Sequence, residues 1–399
     1  MKILFLTPQL PYPPEKGTAL RNWGLINGLA ARHEIALLSF LDPEQGPEIA
    51  PALQAVCRVE VVAAPVRGRL ERLRGLLTTH QPDMALRLAS EQLGQRLGAW
   101  LARERFDVVQ VEGIELAPYI GVIEQARPRP LVVFDDHNCE YLLQKRACLA
   151  DLRAPRRWAA AAYSAVQWLR LRRFEAGVCR RADRVLAVSE ADAAALRRLV
   201  PGLEVTVVPN GIDTRDYRPE PEREAATPTL VFSGTMDFRP NVDAVLWFAR
   251  QVLPRVQQAQ PGVRLLVVGQ RPHPRLDVLR DNPAITLTGW VADSRPYIKR
   301  AAVYIVPLRV GGGTRLKLLE AMALGKAIVS TRLGAEGYPV RDGRELLLAD
   351  TPDEFAAATV RLLGAPARRA ELGRAARAFV EARYDWRAIV PLAERAYRR

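Results

Sequence analysis

Within ten residues, 311–320, the chain sets three glycines, Arg315, Lys317 and Glu320 in the run GGGTRLKLLE, and apolar sequence follows. Bare glycines let the backbone approach a ligand closely and turn its amide N–H groups toward it. Arg315 and Lys317 supply positive charge, and a helix beginning there adds the positive end of its dipole. Together these features suit an anion, and a phosphate group is the economical choice. The run is not a Walker loop. Gly325 and Lys326 are followed by Ala327 where Ser or Thr is required, and no glycine stands five residues before Gly325.

A chain of 399 residues exceeds one ordinary core and suits two domains. Its composition, 49% hydrophobic and 26% charged, is that of a globular protein. The net charge is +14, from 58 basic against 44 acidic residues, and residues 151–200 alone hold 11 Arg against 5 acids. Such a surface favours anionic partners: nucleic acid, an anionic membrane or a phosphorylated substrate. Cys57, Cys139, Cys148 and Cys179 show neither a CxxC pair nor metal-ligand spacing, which reads as reduced thiols in a cytosolic protein. The apolar run before Pro8 is shorter than a signal-peptide core, and no stretch has the length of a membrane span.

The elements that must position the loop follow from periodicity. KILFLT (2–7), EIALLSF (34–40), VEVVAA (59–64), DVVQVE (107–112), LVVFDD (131–136) and RVLAVS (184–189) read as buried parallel strands, with helical stretches at 18–31, 91–104 and 158–181. A Pro- and Glu-rich segment, 213–228, reads as a linker. The pattern then restarts: TLVFSG (229–234), a helix over 241–256, RLLVVG (264–269), ITLTGW (285–290), AVYIVP (302–307), a helix at 315–324, and AIVST (327–331). The expectation is α/β: two doubly wound Rossmann-like domains facing a central cleft, 1–212 and 229–383, with a helix at about 384–399 packing back on the first. Ligands of such sheets bind at the carboxyl ends of the strands.

Read in order, PEKGTALRNWGLINGLAARHEIALLS, RVLAVSEADAAAL, VVPNGID, FSGTMDFRPNVDAVLWF, ITLTGWVAD, YIVPLRVGGGTRLKLLEAMALGKAIVST and YDW resemble the GT-B glycosyltransferases. Within them the likeness is to the retaining, nucleotide-sugar-dependent family 4, or glycosyl transferases group 1. The resemblance implies a donor held by the second domain and an acceptor by the first. Glu320 matches the second carboxylate of the family's paired motif, which accepts hydrogen bonds from the ribose hydroxyls. The first carboxylate of the pair, which grips the donor sugar in relatives, is Gly312 here. Backbone amides at Gly312, Gly313 and Thr314 are expected to cover part of that contact and the distal phosphate.

Where relatives place Arg and Lys after the strand TLVFSG, this chain has Thr235 and Pro240, so Arg239, Arg315 and Lys317 become the candidates for neutralising the diphosphate. A metal-bridged diphosphate would need a D-x-D pair, whereas Asp135 and Asp136 are adjacent and point to opposite faces of a strand, so the expectation is no metal and no required cofactor. His137 fits the position of a histidine near the donor sugar in relatives. Its plain alternative is a loop imidazole satisfied by Asp136 or a carbonyl. Gly17 and Thr18 form a second candidate cradle for the phosphates, with Arg21 toward the acceptor. Trp290 and Asp293 are expected near the nucleobase. Asn210 and Gly211 read as a turn at the hinge.

The implied reaction is transfer of a sugar from a nucleoside diphosphate sugar to a hydroxyl acceptor with retention, in bacterial polysaccharide or glycolipid synthesis, at the inner face of the cytoplasmic membrane. Residues 153–181 combine Trp158, Tyr163 and Trp168 with many arginines, suiting either an anionic membrane and a lipid-linked acceptor or a helix whose aromatic face packs on the core. Two other readings share the frame: a sugar-nucleotide 2-epimerase of the GT-B fold, for which 4 His in the chain leave little room, and a non-catalytic nucleotide-sugar binder. A nucleic-acid-binding protein would also suit the charge, but the arginines are scattered and no nucleic-acid module is present.

Overall fold

The structure, a computed structural model, describes residues 1–14, 17–42, 50–152, 158–220, 228–311 and 314–398, and the side chains of Arg69 and Leu73 lie outside that description. Contacts divide the chain into two units, Met1–Gly211 with Ile389–Arg399, and Ile212–Ala388.

The first unit carries strands β1 (Lys2–Thr7), β2 (Glu34–Leu41), β3 (Arg58–Ala63), β4 (Val108–Glu112), β5 (Leu131–Asp136), β6 (Arg184–Ala187) and β7 (Val205–Val207). They form a wholly parallel sheet in the order β3-β2-β1-β4-β5-β6-β7. The central strands β1, β4 and β5 are buried almost throughout, because both faces of a parallel sheet are covered; hence the near-continuous apolar runs in their sequences. Connecting helices carry local start signals. Ser189 accepts from the Asp192 amide at 3.1 Å ahead of the helix Glu190–Leu199, which has acids in its first turn and Arg197 and Arg198 in its last.

The second unit repeats the plan with β8 (Thr229–Ser233), β9 (Arg264–Val268), β10 (Ile285–Leu287), β11 (Val303–Val306), β12 (Ile328–Ser330) and β13 (Leu347–Leu348), ordered β10-β9-β8-β11-β12-β13. Eleven of the thirteen strands coincide with the sequence segments; β7 and β13, of three and two residues, were not anticipated. The α/β class with two doubly wound sheets is as expected. In each sheet the strand order reverses once, between β1 and β4 and between β8 and β11. The loops leaving those strands therefore diverge, which opens a crevice at their carboxyl ends.

Of the segment 213–228 read as a linker, residues 221–227 lie outside the described residues. The residues at its start pack on the second unit. The Thr214 hydroxyl bonds Asp385 Oδ2 at 2.5 Å, and Arg377 donates to the carbonyls of Thr214, at 2.8 Å, and Tyr217. The last helix, Trp386–Ala396, closes the first unit: His33 meets Glu394 at 2.9 Å, the Tyr397 hydroxyl bonds the buried Gln110, and Val390 sits so close to Gly28 that a Cβ there would fall 2.3 Å from its Cγ2. No described helix is long and apolar enough to cross a membrane.

Candidate functional site

In the second unit the loop after β11 leads into the helix Leu316–Ala323, with Arg315 at its N-cap. Gly312 and Gly313 lie outside the described residues. Arg315 is 8% exposed, and Lys317 and Glu320 are half-buried. Being three residues apart on a helix, Lys317 and Glu320 share one face. Lys317 Nζ donates to Asn241 Oδ1 at 2.8 Å and stands 4.1 Å from the centre of the Phe232 ring. The Asn241 amide is oriented by its own bond to the Thr235 carbonyl, 2.8 Å.

Gly234, the residue after β8, explains how a lysine fits there. Its φ is +147°, and a Cβ would lie 2.6 Å from Lys317 Nζ and 2.8 Å from Asn241 Nδ2. Burial pushes the Lys317 pKa down to about 7, the Arg315 charge acts in the same direction, and Glu320 opposes both. Burial raises the Glu320 carboxyl to about 7, against the pull of Lys317 and of the Tyr217 hydroxyl. Both groups thus change charge near neutral pH, where an incoming anion and an incoming diol would each tip the balance.

The other predicted residues of this unit scatter around that centre. Thr314 is half-buried with its hydroxyl against Tyr338, and Arg239 is exposed at the first turn of the helix Arg239–Trp247. Trp290 is 72% exposed after β10. The structure gives Asp293 a partner that the sequence reading lacked. Arg295 Nε lies 2.9 and 3.0 Å from its two oxygens, and these bonds hold the carboxyl below its usual range although burial acts the other way. The Arg295 guanidinium in turn stands 5.6 Å from the Tyr217 ring. Asp293 is therefore engaged by a cation, and the free edge of the group is Trp290.

In the first unit, Gly17 is exposed and Thr18 half-buried in the opening turn of the helix Gly17–Ala30; Glu15 and Lys16 lie outside the described residues. Arg21 does not point toward an acceptor. It is 2% exposed, and its Nε and Nη2 bond the two oxygens of the buried Asp135 at 2.9 and 2.8 Å. Its Nη1 donates to the Val208 carbonyl at 2.8 Å and to the Pro209 carbonyl and Asn210 Oδ1 at 3.2 Å. All three guanidinium nitrogens are thus engaged by buried or partly buried acceptors. Arg21→Met is expected to lower unfolding stability by about 3 kcal/mol in denaturant titration, because it leaves Asp135 buried without its cation. An acceptor-binding arginine would instead leave stability unchanged.

His137 follows β5, and its Nε2 bonds Glu112 Oε2 at 2.6 Å. Glu112 ends β4, is fully buried, and is held on its other oxygen by Gln110 Nε2 at 2.5 Å. Burial pulls the His137 pKa down, but the Glu112 bond and charge outweigh it and the net shift is up. Gly113, which follows Glu112, has φ +85°, a conformation that favours glycine, and a Cβ there would crowd Glu115 Oε2 at 3.2 Å. His137 is thus fixed by Glu112 and not by Asp136, which faces the buried Glu175 on the opposite side of the strand. Among the described residues, Glu112, Asp135 and His137 offer ligand atoms within 4.8 Å of one another, a geometry that could hold a cation. Arg21 already supplies positive charge to that cluster through Asp135.

The sequence itself decides the family. Residues 17–216 match the family described as Glycosyltransferase Family 4, and residues 227–365 that described as Glycosyl transferases group 1. The chain belongs to glycosyltransferase family 4. A curated relative of this family 4 chain is the phosphatidyl-myo-inositol mannosyltransferase of Mycobacterium tuberculosis (strain CDC 1551 / Oshkosh), 31% identical over 212 residues, 49% of this chain and 54% of that protein. The chain spans about half the length of the curated relatives it matches. Among solved structures, sucrose-phosphate synthase from Thermosynechococcus elongatus superposes with a TM-score of 0.70 at 19% identity, covering 100% of this chain and 98% of that one. Anabaena HepE in complex with UDP and glucose gives 0.66 at 17% identity, covering 99% and 98%. Both likenesses carry the fold, which is that of the GT-B glycosyltransferases.

Sequence reasoning missed Asn241, Tyr217, Arg295, Gln110 and Glu112. Asn241 directly follows Pro240, the position at which relatives carry a lysine, and an asparagine there gives no sign of a charged partner. Glu112 carries a weak signal: a carboxylate closing a buried, largely apolar strand offsets the cost of its burial only if something pairs with it.

Proposed function

We propose that this family 4 chain transfers a sugar from a nucleoside diphosphate sugar to a hydroxyl acceptor with retention of configuration, the second unit holding the donor. The observation that carries the reading is Lys317, held by Asn241 over Phe232 beside the buried Arg315, one helical turn from Glu320. A positioned lysine beside a buried arginine is what a departing nucleoside diphosphate needs, because negative charge grows on it as the glycosidic bond breaks. Arg315, Lys317 and Arg239, with the amides of Gly312, Gly313 and Thr314 and of Gly17 and Thr18, are assigned to the diphosphate. Glu320 is assigned to the ribose hydroxyls, and Trp290 to the base by stacking. His137, on Glu112, is the catalytic contribution of the first unit.

In the proposed step the bond between the sugar C1 and the phosphate oxygen breaks and a bond from C1 to the acceptor oxygen forms on the same face. The acceptor proton passes to an oxygen of the departing diphosphate. No metal or cofactor is assigned to this step. The relative named above acts on phosphatidyl-myo-inositol, which supports a lipid-linked hydroxyl as acceptor here, in glycolipid or polysaccharide synthesis. With Gly312 in place of the motif's first carboxylate, the donor sugar is set by groups other than a second glutamate. A thermal-shift panel of UDP-, GDP-, ADP- and dTDP-sugars tests the reading. At least one donor is expected to raise Tm in a concentration-dependent way, and no shift with any donor would sink it.

A further inference from the structure

We propose that the helices Arg69–Thr78, Glu140–Leu152 and Trp158–Arg181 of the first unit form a docking surface for an anionic lipid bilayer. Their outward faces are apolar where a solvated helix should be polar. On the longest, Trp158, Ala162, Val166, Leu169 and Arg173 recur at helical spacing along one stripe, and all five are exposed. Trp158 is 63% exposed and Leu169 51%. On the first of the three, Leu70, Arg74 and Leu77 share a face, with the leucines 82% and 77% exposed. Among the described residues, eight of the fourteen large exposed apolar side chains lie on these helices. The aromatic face of residues 153–181 is therefore turned to solvent at Trp158 and Tyr163; residues 153–157 lie outside the described residues.

The helices make one surface. Arg170 Nη2 donates to the Leu76 carbonyl at 2.8 Å, Lys145 Nζ stands 5.4 Å from the centre of the Trp168 ring, and Cys148 Sγ donates to the Ala161 carbonyl at 3.5 Å. Its exposed charge is mainly positive. Arg72, Arg74, Arg146, Arg172, Arg173 and Arg180 are exposed, whereas Asp151 and Glu175 are buried, Glu140 is half-buried, and the exposed Glu71 is turned onto the Gly68 amide at 2.9 Å. Exposed leucine, valine and tryptophan flanked by an excess of arginine match the two layers of a membrane surface: acyl boundary for the apolar chains, headgroup phosphates for the cations. A nucleic acid would use the arginines but not the leucines. The surface is built from the first unit alone and does not depend on the donor reading.

Co-sedimentation of the full chain with vesicles of phosphatidylcholine alone, or mixed with phosphatidylglycerol, tests it. The wild type is expected to bind only the anionic vesicles. The exposed triple change Leu70→Gln, Leu77→Gln, Trp158→Gln should weaken partition by roughly tenfold or more. Arg172→Glu with Arg173→Glu should weaken it by roughly 20-fold. Tm should be unchanged in both variants, since these side chains do not pack the core. Equal binding to both vesicle types, or to neither, overturns the proposal. So does wild-type binding by the triple variant, or a concentration-dependent dimer that the same substitutions abolish. The donor thermal-shift panel, run on the same samples, separates failure here from failure of the transferase reading.

Discussion

Lys317→Met is expected to lower kcat/KM for the nucleotide sugar by about 10³-fold, in the range seen when one preorganised charge-stabilising donor is removed. Methionine keeps an unbranched stem against Phe232 and deletes only the ammonium. The same residue predicts the pH dependence of donor binding. Burial holds free Lys317 near pKa 7, and a bound diphosphate must raise that value by adding negative charge beside it. Above pH 7, binding therefore takes up a proton, and affinity falls as pH rises. Glu320 runs the other way. Burial holds it protonated up to about 7, and ribose hydroxyls bonding its carboxylate form lower that value. Below pH 7, binding therefore releases a proton, and affinity falls as pH drops.

Donor affinity should thus peak near neutral pH, with the net proton exchange changing sign there. Calorimetry in two buffers of different ionisation enthalpy reads that exchange directly. Lys317→Met should remove the alkaline limb and Glu320→Gln the acid limb. A single monotonic profile in the wild type would mean that the two groups do not face the donor.

His137→Ala should lower kcat by about 10³-fold, within the span of a positioned proton-handling or charge-stabilising side chain. The KM for the donor should move little, because the diphosphate, the ribose and the base are all assigned to other residues. Slow hydrolysis of the donor by water provides the readout without a known acceptor. Glu112→Gln separates catalysis from scaffolding. It keeps the shape and the bond from Gln110, but withdraws the charge that raises His137. The limb of the pH–rate profile governed by His137 should then move to lower pH. A purely structural Glu112 would change Tm and leave the limb in place.

The strands were legible because parallel strands covered on both faces must be nearly continuous apolar runs, as KILFLT and LVVFDD are. β7 and β13 were not, since two or three residues carry no period. The charged loop at 311–320 could be read because the ligand chemistry is concentrated in one stretch of chain. Partnerships through space could not. Arg21 and Asp135 are 114 residues apart, and Lys317 and Asn241 are 76 apart. Nothing in the segment TALR distinguishes an arginine aimed at a ligand from one buried against a carboxylate, and Arg21 was misplaced for that reason. The same holds for Asp293, whose partner Arg295 sits two residues away but reads as an ordinary surface charge.

The central claim is that Glu320 grips the ribose of a nucleotide donor, and one comparison bears on it most directly. The Tm shift, or calorimetric affinity, is measured with the donor nucleotide that stabilises the chain and with its 2′,3′-dideoxy counterpart, in the wild type and in Glu320→Ala. Two hydrogen bonds to a carboxylate predict a preference of about 100-fold for the ribose form in the wild type. Glu320→Ala should bind both forms alike, at the weaker level. An equal preference in both proteins would contradict the assignment, because the diol would then be held by some other group.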